Sequence, residues 1–380
     1  MIAKAHHDLV RRMNKGLMKP LVNDLFLELM ATLFTEEEAQ LLSQMPHLPA
    51  TADKIAERAN RPEHEVRALL DKMGEEGRIL AGGVPKKKYM LLGLLPGIFE
   101  LYTTMGPDDE RKRRYAELFE EYHNAELSAK LAKPDVRMLR IIPIQQSLTS
   151  KAGVMHSDYF REVIDRHDAW SVADCGCKKQ KGLIDKRCDK PMEVCMQFGA
   201  AARGAAEIGF SRLLSREETF EIVDRIEAAG LVHLTDNVEL PHISCNCCGC
   251  CCVALASLNK FNTPQIFLNS RYVCEHNSKK CVACGKCAKA CPVGVPHLYG
   301  KQLKFQSWRC IGCGVCIAKC KKDALRMVLR PEGRPVPENY GQMIVDGATH
   351  FAGVQKYVHR IGPRYSQVLG NWLQGRMTKK

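Results

Sequence analysis

The chain has 380 residues, of which 45% are hydrophobic and 26% are charged, enough for roughly two to four domains with buried cores. No apolar run reaches the roughly 18 residues of a membrane-spanning helix, and the basic first 20 residues lack the apolar core of a signal peptide. Nineteen cysteines without an export signal predict metal ligation in a reducing compartment, not a disulfide framework. We therefore expect a soluble, cytoplasmic metalloprotein, and its formal net charge of +13 favours acidic partners.

The first predicted domain, residues 1–105, is mainly helical. Apolar residues repeat at helical spacing from Leu21 to Phe34, and Thr35 with Glu38 forms a capping box that predicts the start of a second helix. Residues 51–79 predict two short helices joined by a turn, and two short strands follow. This order resembles a winged helix-turn-helix domain across about residues 35–95.

The charges on the predicted recognition helix do not favour DNA binding. The helix and its flanks carry Arg61, Arg67, Lys72 and Arg78 against Glu63, Glu65, Asp71, Glu75 and Glu76. This slightly acidic balance is unfavourable for phosphate contacts, and only Lys86 to Lys88 on the wing favour them. We expect a protein-contact or structural role for this domain, with DNA binding as the open alternative.

Residues 106–134 are charged and predict a helical connector that Pro134 closes. The next predicted domain, residues 135–270, is a cysteine-rich α/β domain. Within it we expect a strand over 136–144, a helix over 158–168, and a helix capped by Ser215 with Glu218.

Ten cysteines lie in this middle domain and require a chemical explanation. Cys175, Cys177, Cys188 and Cys195 could supply four ligands to a 4Fe-4S cluster, whereas Cys245 to Cys252 cannot all face one metal because adjacent residues diverge. The candidate metal ligands are Cys175, Cys177, Cys188, Cys195, Cys245, Cys247, Cys248 and Cys250. An additional iron–sulfur cluster, a structural zinc, and buried or reactive thiols are the three interpretations.

A cysteine pattern, CxxCxxCxxxC, occurs twice between residues 271 and 330. The two copies are Cys281, Cys284, Cys287 and Cys291, and Cys310, Cys313, Cys316 and Cys320. This pattern resembles the bacterial-type two-cluster ferredoxin domain over about residues 274–330. It departs from that family at Lys321, where proline usually follows the last cysteine. A pair of zinc sites is the alternative, although zinc does not explain the repeated CxxxC.

The ferredoxin resemblance implies one-electron transfer by two 4Fe-4S clusters with crossed ligation. One cluster would be held by Cys281, Cys284, Cys287 and Cys320, and the other by Cys310, Cys313, Cys316 and Cys291. Cys274 is expected to be structural. Oxygen threatens such clusters, so we expect an anaerobic host.

Two groups of basic residues lie beside cysteines, and either could steer an acidic redox partner or simply offset cluster charge. One group is Lys178, Lys179, Lys181, Lys186, Arg187 and Lys190, and the other is Lys279, Lys280, Lys286, Lys289, Lys319, Lys321 and Lys322. The basic extension at 331–380 repeats apolar residues at helical spacing, at Tyr365, Val368, Leu369, Trp372 and Leu373. We expect this helix to pack on its own domain, with docking on a partner or membrane surface as the alternative.

The sequence as a whole predicts an α+β, multidomain protein: a winged-helix-like start, a cysteine-rich α/β middle and a ferredoxin-like dicluster domain. This arrangement is similar to a group of 4Fe-4S proteins of anaerobes, through the segments DCGCKK, PMEVCMQFG, EAAGLVH and ISCNCCGCCC. We expect an electron-transfer protein with two 4Fe-4S clusters and a third metal centre, either iron–sulfur or zinc. The alternatives are a redox-responsive transcription regulator and an oxidoreductase whose catalysis occurs at the Cys175–Cys252 region.

Overall fold

A computed structural model describes residues 2–15, 20–127, 138–148, 155–261, 268–300, 302–331 and 335–343. The helix expected in the C-terminal extension lies outside these residues. The described part combines helices with several β-sheets, as the mixed fold class predicts. None of its helices has the length and apolar character needed to span a bilayer.

The N-terminal part contains five helices followed by a β-hairpin. The helices are α1 (Lys4–Met13), α2 (Asp24–Leu33), α3 (Glu36–Gln44), α4 (Ala52–Ala59) and α5 (Glu63–Glu75), and the strands are β1 (Leu80–Gly82) and β2 (Lys88–Met90). Thr35 and Glu38 form the expected capping box at the start of α3. The α3-to-β2 order is the one expected for a winged helix, and membership of that family stays a prediction.

Two further helices, α6 (Phe99–Thr104) and α7 (Glu110–Tyr122), pack against this part. Asp109 caps α7 by accepting a hydrogen bond from the backbone N–H of Lys112 at 2.8 Å. The rings of Phe99 and Phe119 stack with centroids 4.2 Å apart. The helical segment expected as a connector therefore contributes its apolar face to the N-terminal core.

The middle part is built on a seven-stranded sheet. Its strands are β3 (Leu139–Ile142), β4 (Trp170–Asp174), β5 (Glu193–Phe198), β6 (Arg212–Leu214), β7 (Val232–Asp236), β8 (Ile243–Cys247) and β9 (Leu268–Asn269), in the order β6-β4-β5-β8-β7-β3-β9. Neighbours are antiparallel except β3 and β9. The helices are α8 (Phe160–Asp165), α9 (Gly176–Leu183), α10 (Ala200–Glu207), α11 (Arg216–Ala228) and α12 (Val253–Phe261). Ser215 caps α11 as expected.

The last part is closed by its first and last strands, β10 (Tyr272–His276) and β13 (Leu325–Leu329), which pair antiparallel. Between them lie α13 (Lys286–Ala290), the hairpin β11 (Pro296–Tyr299) and β12 (Gln302–Phe305), and α14 (Val315–Ala318). The apolar core of this part is continuous with the middle sheet, because Ile141 and Val232 belong to the same buried cluster as Ile311 and Val315.

Candidate metal centres

Four cysteines of the duplicated motif line one buried cavity, shared with Val293, Val295 and Phe305. They are Cys310, Cys313 and Cys316 of the second copy and Cys291 of the first copy. The crossed ligation expected of a two-cluster ferredoxin predicts this combination, and the ligand assignment stays a prediction. Cys274 is a fifth cysteine in the lining, and the four motif thiols around this apolar cavity fit a thiolate-bound 4Fe-4S cluster, which they would hold.

Backbone amides donate hydrogen bonds to the sulfur atoms of these cysteines. The N–H of Val295 lies 3.3 Å from Cys291 Sγ, and the N–H groups of Cys274 and Gly312 each lie 3.4 Å from Cys310 Sγ. Burial raises the pKa of the Cys310 thiol to about 11, whereas a bound metal deprotonates its thiolates. The amide donors stabilise the thiolate form that a cluster requires and help to set its potential.

The two predicted ferredoxin clusters differ in exposure. Cys284 is exposed and Cys281 and Cys320 are partly exposed, whereas Cys310, Cys313 and Cys316 are buried. The cluster expected on the first set would therefore lie near solvent, and the other would lie inside the protein. The buried set is also tied to the middle part, because the N–H of Ile144 donates to the carbonyl of Cys313 at 3.0 Å.

A second thiol group lies in the middle part and consists of Cys188, Cys248, Cys250 and Cys251, here called the cysteine quartet. All four sulfur atoms lie within 4.8 Å of one another, with Cys188 3.8 Å from Cys248 and Cys250 3.9 Å from Cys251. A tetrahedral zinc with bonds of about 2.3 Å separates its sulfurs by roughly 3.8 Å. Cluster thiolates bind different irons and lie further apart, so the quartet fits a single tetrahedral ion.

The electrostatics of the quartet favour thiolate formation at Cys248. A hydrogen bond with the Cys251 thiol lowers the pKa of Cys248 to about 4, and the backbone N–H of Cys251 donates to the same sulfur at 3.4 Å. Burial raises the pKa of Cys250 to about 11, and a bound metal ion would favour its thiolate form. Thiolate-rich sites of this kind select zinc or iron among divalent metals.

The remaining six middle cysteines form a separate set, here called the thiol ring. Contacts run from Cys175 to Cys177, then to Cys252, Cys247, Cys245 and Cys195. The charge of Cys175 also acts to raise the pKa of Cys195, so the two ends of this series lie near each other. The four cysteines expected to share one cluster are therefore divided, because Cys188 lies in the quartet and the other three lie in the ring.

Two ionisable residues lie beside these thiols. Lys178 is fully buried, and its charge opposes the rise in the pKa of Cys175 that its hydrogen bond with Cys177 and its burial cause; it also adds to the lowering of the Cys248 pKa. Burial, with a smaller effect of the nearby Cys245, raises the pKa of Glu100 to about 8. Sequence reasoning missed Glu100 because it belongs to α6, far from every cysteine in the chain.

Sequence reasoning also left Cys251 and Cys252 outside the candidate ligands. Strand alternation was the available signal: Cys245 and Cys247 are two residues apart in β8 and face one side, while Cys248 follows on the other. The turn at 249–252 then places Cys251 in the quartet and Cys252 in the ring. That turn geometry is not encoded in a recognisable residue pattern.

Comparison with known proteins identifies the last part of the chain. Residues 274–321 match the family model of a 4Fe-4S dicluster domain. No curated protein and no solved structure matches the chain. With this domain and the cysteine quartet, the chain is an iron–sulfur protein with a further candidate metal centre in its middle part.

The two basic groups differ in the contacts that their side chains make. In the middle part, Lys179 pairs with Asp108, Lys181 with Glu120, and Lys178 donates to the carbonyl of Pro191. The other group is here called the lysine surface, and all of its members are exposed: Lys279, Lys280, Lys286, Lys289, Lys319, Lys321 and Lys322. Within the described part of the chain, none of them forms a salt bridge.

Proposed function

We propose that this protein transfers single electrons from a partner protein, through its two ferredoxin-type clusters, to a third metal centre in the middle part. Cys281, Cys284, Cys287 and Cys320 would hold the outer cluster, and Cys310, Cys313, Cys316 and Cys291 the inner one. The bound clusters would supply one-electron acceptors and donors. The protein's own residues supply amide donors to sulfur, apolar packing that excludes water, and a path between the parts.

The observation that carries this proposal is the packing of the two cysteine-rich parts into one core. Cys247 and Cys252 belong to the same buried cluster as Cys310, Cys313 and Cys316. Gly249, in the turn between Cys247 and Cys252, lies against Pro292, the residue that follows Cys291. Asn259 bridges this contact, donating to Gly249 O at 3.3 Å and to Pro292 O at 3.0 Å. Thiols of the middle part therefore lie next to ligands of the inner cluster.

The lysine surface supports an acidic redox protein as the electron-exchange partner. Four of its members flank the exposed Cys284 in the sequence, and Val282 beside it is 60% exposed. Unpaired positive charges at an exposed redox site raise the association rate of an acidic partner. We propose that such a protein docks here, in the cytoplasm.

The proposal is tested with full-length protein purified without oxygen. Iron and acid-labile sulfide are measured per chain, and the protein is then mixed with a reduced acidic ferredoxin while its visible absorbance is recorded. We expect iron and sulfide in equal amounts, at least about eight of each, and rapid bleaching that slows at high salt. A preparation without iron and sulfide, or clusters that no electron donor reduces, would contradict the proposal.

A further inference from the structure

We infer that the thiol ring, formed by Cys175, Cys177, Cys195, Cys245, Cys247 and Cys252, binds a polynuclear iron–sulfur cluster, distinct from the ion of the cysteine quartet. The inference deepens the proposed function, on which it rests, because it names the residues of the third centre. It divides the ten middle cysteines into two sites of different chemistry.

The fold brings the six thiols to one end of three adjacent strands. β4 ends at Asp174, which lies opposite Glu193 at the start of β5, and Cys175 follows directly. Cys195 lies opposite Cys245 in the β5–β8 pair, so the two side chains share a face. Cys247, two residues further along β8, shares that face as well.

Two helices complete the ring at their N-termini. Cys175 and Cys177 flank the first residue of α9, and Cys252 directly precedes α12. The backbone N–H groups of Val253 and Leu255, in the first turn of α12, donate to the sulfurs of Cys177 and Cys252. The N–H of Lys178 in α9 donates to Cys175 in the same way. Amides at helix N-termini stabilise negative charge, so both helices favour thiolates here.

The number and spread of the thiols point to more than one metal atom. A single tetrahedral ion takes four ligands, whereas six thiols form a closed set of neighbours here. Among the described residues, the group whose ligand atoms all lie within 4.8 Å is the quartet, and it contains none of the six. A set of six thiols that do not all lie within the span of one ion fits a cluster whose metals bind different thiolates.

The position of the ring favours iron–sulfur over zinc. Cys247 and Cys252 pack in one core with three ligands of the inner ferredoxin cluster, while Cys248 and Cys251 of the quartet pack in a different core. Zinc has no redox chemistry and would end an electron path at this position. The buried Lys178 offsets the negative charge that six thiolates would place here.

The test uses full-length protein purified without oxygen and compares two sets of variants. The first replaces ring thiols, as Cys195→Ser with Cys245→Ser. The matched control replaces a quartet thiol, as Cys250→Ser. Iron, zinc and acid-labile sulfide are measured per chain. The unsubstituted protein is also alkylated in its native state, and the labelled cysteines are identified by mass spectrometry.

We expect the unsubstituted protein to hold about twelve irons or more and about one zinc. The ring variant should fall to about eight irons and keep its zinc, while the Cys250→Ser variant should lose zinc and keep its iron. Alkylation of the unsubstituted protein should leave the six ring thiols unlabelled until the iron is removed. This measurement does not depend on whether the ring variant folds.

Three results would overturn the inference: ring substitution that leaves iron and sulfide unchanged, ring substitution that removes zinc instead, or ring thiols that alkylate readily in the native protein. Failure of the proposed function would look different. A ring that binds iron but never exchanges electrons with the ferredoxin-type clusters would refute the electron path and leave the binding site intact.

Discussion

Gly249 lies at the closest approach between the middle part and the dicluster domain. A Cβ atom added at this residue would overlap the carbonyl oxygen of Pro292, so the contact requires glycine. The same carbonyl accepts a hydrogen bond from Asn259 at 3.0 Å, which holds the two segments together. One residue without a side chain therefore lets the cysteine-rich turn lie directly beside Cys291.

Replacing Gly249 with alanine should separate these two segments. We expect Gly249→Ala to lower the free energy of unfolding by about 1–3 kcal/mol through overpacking, and to slow electron transfer between the ferredoxin-type clusters and the middle part. The control is Gly204→Ala in α10, where an added Cβ has no neighbour within 4 Å and alanine should stabilise the helix by roughly 0.5–1 kcal/mol. Equal electron-transfer rates in the two variants would contradict this role for Gly249.

A buried ion pair holds the N-terminal part together. Arg78 is 0% exposed and donates two hydrogen bonds to the carboxylate of Glu38, at 2.6 and 2.8 Å. Burial acts to raise the pKa of Glu38, but the hydrogen bonds from Arg78 and Thr35 and the positive charges nearby hold it below the ordinary value of 4.5. A lowered pKa means that this stabilisation is present above pH 4.5 and is lost as the pH falls through the folded-state value.

Glu38→Gln should therefore lower the free energy of unfolding by about 3 kcal/mol at pH 7, because the buried Arg78 keeps its charge and retains only Glu76 as an acidic partner. Urea unfolding followed at pH 7 and at pH 4 measures the effect, which should shrink at the lower pH. The exposed pair of Glu63 and Arg67 on α5 provides the control, since Glu63→Gln should cost only about 0.5 kcal/mol or less. Similar losses for both variants would contradict the role of burial.

At the residue level, the sequence gives more information on the motif cysteines than on the middle ones. Spacing alone predicts which cluster each of the eight motif cysteines binds, because it places three thiols on one loop, and that assignment stays a prediction. Spacing does not show how the ten middle cysteines group in space, because their grouping depends on strand register and on the turn at 249–252. Gly314 of the second copy takes a positive φ of 79°, and an added Cβ would overlap Ser147 of the middle part.

At the scale of elements, α5 carries its charges in pairs. Arg61 pairs with Glu37 and Glu65, and Arg67 pairs with Glu63. Lys87 of the adjacent hairpin pairs with Asp71. Basic side chains already engaged by carboxylates are poor ligands for phosphate, which agrees with the slightly acidic balance of the sequence.

Helix α5 should therefore not bind DNA. We expect no retardation of genomic DNA fragments in a mobility-shift assay at physiological salt, with the protein oxidised or reduced. Release of Arg67 by Glu63→Gln serves as a comparison and should add at most weak binding that disappears as salt rises. Specific binding in one redox state would favour the transcription-regulator hypothesis over electron transfer.

The lysine surface makes a separate prediction about partner association. Lys321→Glu with Lys322→Glu should slow association with an acidic ferredoxin about tenfold at low salt, and the difference should vanish at high salt. The control is Lys86→Glu with Lys88→Glu on the N-terminal hairpin, which changes the net charge equally. Stopped-flow reduction rates measure both, and equal slowing by the two would show that total charge, not this surface, governs association.

Element prediction succeeded where local chemistry was strong. The capping residues Thr35 and Ser215 start helices α3 and α11 as expected, and the strand predicted over 136–144 appears as the shorter β3, Leu139–Ile142. The first helix, Lys4–Met13, was not predicted, because its stripe of Leu9, Val10 and Met13 is short and surrounded by charge. It forms because tertiary packing on α3 buries that stripe, which is information from distant sequence.

At the scale of the whole molecule, the metal ligands are inseparable from the apolar core. The buried apolar cluster that joins the middle sheet to the dicluster domain includes six candidate metal ligands. Two belong to the middle part and four to the dicluster domain: Cys247, Cys252, Cys287, Cys310, Cys313 and Cys316. Composition predicted a metalloprotein with several domains, but the continuity of this core was not predictable, because no local pattern reports which faces meet. The continuity is the physical basis that the proposed electron exchange between the parts would use.

The most direct test of this account is the time course of electron distribution within one molecule. Full-length protein receives less than one electron per chain from a fast reductant, and rapid-freeze electron paramagnetic resonance follows each paramagnetic centre. The account predicts that a ferredoxin-type signal forms first and decays as a third signal grows, at the same rate at every protein concentration. A ferredoxin-type signal that persists, or transfer whose rate rises with protein concentration, would contradict an internal path.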